Sequence, residues 1–298
     1  YGEDAAAIEV PGGTLVVSSD PISLAVDRIG TLGVSVACND VAASGADPEW
    51  LTSVVFLPGS EDAVVHLDTI TEQMDAAAES VGVSIVGGHS EYNPSLDRPL
   101  LSVTCMGMAD RFVSSGGARP GDRIVLANAA GIEGTAILAS DFREDLLRAG
   151  VDTDLLDRAV GFYDEIAIIE EAAAVRELAT AMHDPTEGGL VDGLLELAAA
   201  SGVGLTIDSS AIPVRDETTE ICGALDVDPL RIFGSGALLA TVQESDVASA
   251  IESLRSIGIR SAVIGSVVES TEPVVRIDET EQTTPSRDNL YRLWDERA

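Results

Sequence analysis

The sequence contains no lysine: all 17 of its basic residues are arginines, set against 51 aspartates and glutamates. That absence excludes a Schiff-base lysine and any P-loop, whose grip on phosphate depends on one. The formal charge of −34 repels nucleic acid and anionic membranes, so neither is expected as a partner. Aromatic residues make up only 4% of the chain, so the core must be aliphatic and alanine-rich. The three cysteines, Cys38, Cys105 and Cys222, lie far apart in apolar runs with no CxxC pair. They read as buried thiols in a reducing compartment. The histidines His66, His89 and His183 are isolated and lack ligand spacing. No run approaches the roughly 18 apolar residues of a membrane span, and no signal peptide is visible, which predicts a soluble, cytoplasmic protein. The chain opens on Tyr1 rather than Met, and a preceding segment is expected.

What is present is globular. The 298 residues are 45% hydrophobic, enough for two domains of ordinary size. The acids are spread along the chain instead of forming a tail, as on a surface that works in high salt, where self-repulsion is screened.

Strands alternate with helices, which predicts an α/β (α+β) protein in two halves. Strands 5–10 and 14–19 form a hairpin around Pro11-Gly12-Gly13. A helix follows over 30–44, a strand over 51–57, and a long helix opened by Glu61-Asp62 runs to about Val81. A short buried strand, 83–86, ends in Gly87-Gly88, and a strand pair spans 100–113. Residues 114–121, SSGGARPG, are the linker between an N-terminal domain, 1–113, and a C-terminal domain, 122–298. In the latter, strands are expected at 123–127, 205–207, 237–242, 261–267 and 274–277. Helices are expected from about Thr135, over 165–181, 190–200, 217–225 and 245–257, and near 288–296. Residues 141–164 read as an irregular acidic helical region.

Three clusters carry chemistry. Glu3-Asp4 opens a strand, Asp20 closes one, and Asn39-Asp40 lies within an apolar helix where its i±3 and i±4 neighbours are Val36, Ala37, Ala43 and Ser44. A carboxylate so placed is poorly solvated and calls for a hard cation such as Mg²⁺. The bland alternative is that Asn39 and Asp40 merely satisfy backbone groups at a helix kink. The second cluster, Gly87-Gly88-His89-Ser90-Glu91, would let a ligand approach the backbone closely, or would be a plain tight turn. The third is His183-Asp184-Pro185-Thr186-Glu187-Gly188-Gly189. Its following helix could offer N–H groups to phosphate, with Asp184 or Thr186 equally readable as an N-cap.

GEDAAAI, SSDPIS, ACNDVAASGADP, VGGHSE, RPGDRIVL, HDPTEGGL, SGVGLTID, IPVRDE and DPLRIFGSGALLATV occur in the order found in the AIR synthetase-like (PurM-like) superfamily. The chain resembles that superfamily over essentially its whole length, and HDPTEGGL, IPVRDE and DPLRIFGSGALLA resemble its HypE-like branch. The resemblance implies a two-domain PurM-like fold, with an N-terminal domain that dimerises through its sheet and ATP bound near the dimer interface. It implies transfer of phosphate to an amide or carbonyl oxygen of a small-molecule acceptor. Asp4, Asp20 and Asp40 would bind Mg²⁺ and phosphates, while Asn39 and Gly87, Gly88, His89, Ser90 and Glu91 would hold the nucleotide. Asp184, Thr186, Gly188 and Gly189 would face the acceptor or its phosphate. HypE acts on a thiocarboxamide built on its own C-terminal cysteine, and residues 290–298 contain none. Thiamine-monophosphate kinase, a lower-ranked analogy, carries an aspartate where His89 stands. A nucleotide-binding assembly module without turnover is the alternative reading.

Overall fold

The computed structural model describes residues 3–24, 26–59 and 63–297. It divides into two compact units, one running from Asp4 to Phe112, the other comprising the described residues from Val113 onward together with Glu3.

The first unit is a five-stranded sheet with two helices. Strands β1 (Ala6–Val10) and β2 (Gly13–Ile22) form the hairpin, followed by α1 (Ile29–Ala43), β3 (Asp47–Pro58), α2 (Ala63–Val81), β4 (Ser84–Asn93) and β5 (Leu100–Ala109). The strand order is β1-β2-β5-β3-β4, with β3 and β4 parallel and the other pairs antiparallel. The residues expected to open α2, Glu61 and Asp62, lie outside the described residues.

Along β5 the burial alternates strictly, with Leu101, Val103, Cys105, Gly107 and Ala109 inward, the period-two signature of a sheet covered on one face. Those residues pack beneath α1, which is buried almost all round. Gly33 is what permits the approach, since a Cβ there would come within 2.6 Å of the Leu101 side chain. On the opposite face, Ile8, Trp50 and Val54 remain exposed.

The second unit holds a seven-stranded sheet. Its elements are β6 (Arg123–Ala127), α3 (Ile132–Asp141), α4 (Arg143–Ala149), α5 (Thr153–Val160), α6 (Ile169–Val175), β7 (Ala179–His183), α7 (Gly189–Ser201), β8 (Gly204–Ile207), α8 (Asp216–Leu225), β9 (Leu238–Val242), α9 (Val247–Ser256), β10 (Ser261–Val268), β11 (Val274–Ile277), β12 (Thr280–Gln282) and α10 (Asn289–Asp295). The strand order is β12-β11-β8-β10-β6-β9-β7. One cluster of buried Leu, Ile, Val and Ala joins β6, β8 and β9 to α7.

Four local expectations need correction. The expected strand pair over 100–113 is a single strand, β5. The strand expected to stop at Val86 continues to Asn93, because β3 offers it a parallel partner along its whole length. The helix expected over 165–181 is only the seven residues of α6; Ala179–His183 leave it and pair with β9. Alanine and methionine favour helix locally, and sheet pairing overrides that preference. In the segment read as a linker, Ser115–Gly117 form a 3₁₀ turn within the second unit. There Ala118 N–H donates to Ser201 and Ser201 to the Ser115 carbonyl.

Candidate functional site

In the first unit, two carboxylates and a backbone carbonyl distant in sequence meet at one hydroxyl. Ser18 and Asp20 lie two residues apart on β2 and so share a face, while α1 lowers Asp40 onto that face. Ser18 Oγ lies 2.5 Å from Asp40 Oδ2, 3.1 Å from Asp20 Oδ2 and 3.2 Å from the backbone carbonyl of Asp4. A hydroxyl has one proton to give, so it cannot serve three oxygens at once. Ser18 and Asp40 are 3% and 5% exposed, and Asn39 is completely buried. Asp40 also stands in the last turn of α1, the negative end of the helix dipole. Buried charge there demands compensation. Two carboxylate oxygens on one hydroxyl form a hard-oxygen set that fits Mg²⁺. Asp20 and Asp40 would hold it, with the Asp4 backbone carbonyl beside them. Glu3 does not join them: its carboxylate accepts from the hydroxyls of Ser114 and Ser115 and from Ser115 N–H in the second unit.

Gly87–Glu91 is not a loop. It is the middle of β4, paired residue for residue with Thr52–Phe56 of β3. Neither glycine has positive φ. Gly88 is required because a Cβ would come within 2.7 Å of the Ser53 carbonyl. In the strand order, β5 and β3 separate β4 from β2. His89, Ser90 and Glu91 are exposed and stand three strand spacings from Asp20, roughly 14 Å. A single first unit does not bring this segment to the acids.

In the second unit, β7 ends on His183, whose Nε2 lies 2.9 Å from Glu196 Oε2 on α7. Asp184 follows at 2% exposure. The N-cap of α7 is Gly188, at φ +80°, and neither Asp184 nor Thr186 caps it by side chain. The turn needs glycine twice over, since a Gly188 Cβ would also fall on the Asp192 carboxylate. Three of the N–H groups at this helix terminus, those of Gly188, Gly189 and Val191, already have acceptors within the unit. Gly188 N–H donates to Asp288 Oδ2 at 3.0 Å. Gly189 N–H donates to the Thr186 carbonyl and Val191 N–H to the Leu230 carbonyl. Gly188 and Gly189 shape the turn, both at positive φ.

Two buried acids here escaped the sequence reading. Asp288, the N-cap of α10, also accepts from Leu290 N–H. Burial pushes its carboxyl up to about 7, with Glu133 and Glu187 adding to the rise and the Gly188 and Leu290 amides opposing it. Glu133, in the first turn of α3, is likewise driven to about 7 by burial, against the opposing hydroxyl and amide of Ser235. The clue for Glu133 was its setting in Gly131-Ile132-Glu133-Gly134, a lone acid among small and apolar residues. Asp288 was recognisable only as the start of a short helix.

Two family models account for most of the chain: AIR synthase related protein, N-terminal domain, over residues 2–109, and its C-terminal domain over residues 119–278. The chain belongs to the AIR synthase related proteins. A carbamoyl dehydratase HypE from Rhizobium leguminosarum bv. viciae is 33% identical over 278 residues, covering 90% of this chain and 77% of that protein. The HypE of Cupriavidus necator is 32% identical over 288 residues, 93% of this chain and 80% of its own. Among solved structures, the HypE–HypF complex superposes with a TM-score of 0.79 at 25% identity, covering 96% of this chain and 93% of that one. HypE in complex with ATP gives 0.77 at 26%, covering 95% and 88%. A thiamine monophosphate kinase from Aquifex aeolicus, at 22% identity and TM-score 0.74 over 94% of this chain and 92% of its own, shares the fold. These relatives place the chain in the PurM-like superfamily, on its HypE-like branch.

Proposed function

We propose that this AIR synthase related protein is an ATP- and Mg²⁺-dependent enzyme that phosphorylates an amide or carbonyl oxygen of a small acceptor. The observation that carries the reading is the convergence of Asp20 and Asp40 on the Ser18 hydroxyl. The HypE relative solved with ATP supports a nucleotide in that role. Asp20 and Asp40, with Asp4 beside them, would hold Mg²⁺. When bound, the cation supplies charge neutralisation across the phosphates, which phosphoryl transfer needs more than covalent chemistry. Asn39 backs the acid cluster from within α1. Asp184 and Thr186 would meet the acceptor.

Homodimerisation belongs to this proposal. The exposed apolar residues Ile8, Trp50 and Val54 leave one sheet face suited to a second copy. The separation of β4 from β2 fits a nucleotide held by Gly87–Glu91 of one copy and the acids of the other. The acceptor is a separate molecule on this reading, because the chain's three cysteines are all buried. Burial pushes the Cys222 thiol up to about 12. The contact with Cys105, together with burial, pushes Cys38 up as well.

The test is Mg²⁺-dependent ATP binding in molar KCl. We expect Asp20→Asn and Asp40→Asn each to weaken it at least tenfold while the far-ultraviolet spectrum stays unchanged. Equal binding in both variants would remove the site assignment. The spent amides of α7 favour one alternative, a nucleotide-binding assembly module without turnover. ADP release stimulated by any small amide or carboxamide would exclude it.

A further inference from the structure

A cleft of about 290 Å³ opens in the second unit, between the loop that follows β6 and the start of α8. Its walls are tied to one another: Asn128 N–H donates to the Arg260 carbonyl at 2.8 Å, and Ala130 N–H to the Pro213 carbonyl at 3.0 Å. Neither the acid cluster nor the His183–Gly189 turn contributes to its lining.

Three side chains bring unspent donors to this cleft. Arg215 is held from two sides, by an ion pair from Nη2 to Glu165 and by the Phe162 ring, whose centroid lies 5.1 Å from its guanidinium carbon. Its Nε is buried and has no hydrogen-bond partner. A buried donor left in that state is costly, and more so on a charged group. Arg260 has no carboxylate within ion-pairing distance among the described residues, in a chain with three acids for every arginine. Asn128 holds a left-handed backbone, φ +68°, and its side-chain amide makes no hydrogen bond among the described residues. A non-glycine residue kept at positive φ beside unspent donors is a reason to look for a ligand.

The acids of the cleft limit what that ligand is. Glu217 is occupied by Arg158 Nε at 2.8 Å, and Glu165, beside it, by Arg215. Asp216, at the exposed rim, has no ion pair among the described residues. It would repel a dianion and would accept a hydrogen bond from a hydroxyl or amine. We propose that this cleft binds a small monocarboxylate carrying an adjacent O–H or N–H, of the hydroxy- or amino-acid class. The carboxylate meets the flat edges of Arg215 and Arg260, a geometry guanidinium groups favour. Asn128 donates to the same oxygens, and Asp216 accepts from the neighbouring hydroxyl or amine.

Saturation-transfer NMR on the full chain in molar KCl tests this with glycolate, acetate and inorganic phosphate as probes. Glycolate should bind saturably with a Kd in the millimolar range and more tightly than acetate, with phosphate weakest. Arg260→Ala and Asn128→Gly, the latter tolerating the positive φ, both away from the Arg215–Glu165 pair, should each weaken glycolate tenfold or more without lowering Tm. No saturable glycolate signal, or equal binding in both variants, overturns the site. Phosphate binding more tightly than glycolate, and lost in the same variants, overturns the carboxylate assignment in favour of a phosphate-bearing ligand. ATP is absent throughout, so the outcome is independent of the nucleotide-site test.

Discussion

Glu133 illustrates how a single residue can set the pH behaviour of a domain. Its native pKa of about 7, against an ordinary 4.5, means that the folded state binds its proton more tightly than the unfolded chain does. Stability from this group is therefore present below about pH 4.5 relative to alkaline pH, and is lost as pH rises through 7. The shift corresponds to roughly 3 kcal/mol as an order of magnitude. Glu133→Gln should raise the Tm of the second unit at pH 8 and leave it nearly unchanged at pH 4.5, by calorimetry in molar KCl. Equal effects at both values would show that burial does not govern this carboxyl. Cys38 and Cys105 make the complementary case: their sulfurs lie 3.7 Å apart in the core. Neither should react with a disulfide reagent in minutes unless denaturant is added.

At the scale of elements, the tail helix and the α7 turn stand together. Asp288 satisfies the Gly188 amide, and Ser286 N–H donates to Asp192. Tyr291 and Trp294 on α10 pack on Phe233 at centroid distances of 6.0 and 6.3 Å. Asp288→Ala leaves two amides without their acceptor and should cost about 2–3 kcal/mol in urea unfolding. Asp288→Asn keeps one acceptor oxygen but turns its NH2 on the other amide, so it should recover no more than about half of that loss. Gly188→Ala should destabilise more than either, because it meets both the positive φ and the Asp192 carboxylate. This part of the site was the least legible in the sequence. HDPTEGG announced a turn, but what accepts from its Gly188 amide comes from residue 288, a hundred positions away. The acids of the first unit were legible, because Asp40 is a carboxylate set among apolar and small residues on its helix. The serine that gathers them was not, since Ser18 looks like any other residue of a β-prone run. The strand at Ala179–His183 was hidden for a related reason: its identity lies in its pairing with β9, not in its own composition.

For the whole molecule the dominant fact is charge. Most of the arginines pair with acids at exposed positions, where each pair is worth about 0–1 kcal/mol and less in strong salt. Such pairs cannot offset a net charge of −34, so screening must. Dilution from molar KCl to about 0.1 M should unfold the protein cooperatively, and a fold indifferent to salt would exclude adaptation to brine. The molecule also carries its own optical probes. Its two tryptophans fall one in each unit: Trp50 is partly exposed on the open sheet face, and Trp294 packs among Phe142, Phe233 and Tyr291. With Trp294→Phe, emission reports solely on that open face and should shift to the blue if a second copy covers it. With Trp50→Phe, emission reports on the docking of the tail helix. Two single-tryptophan variants would thus read assembly and local unfolding as separate colours in one cuvette.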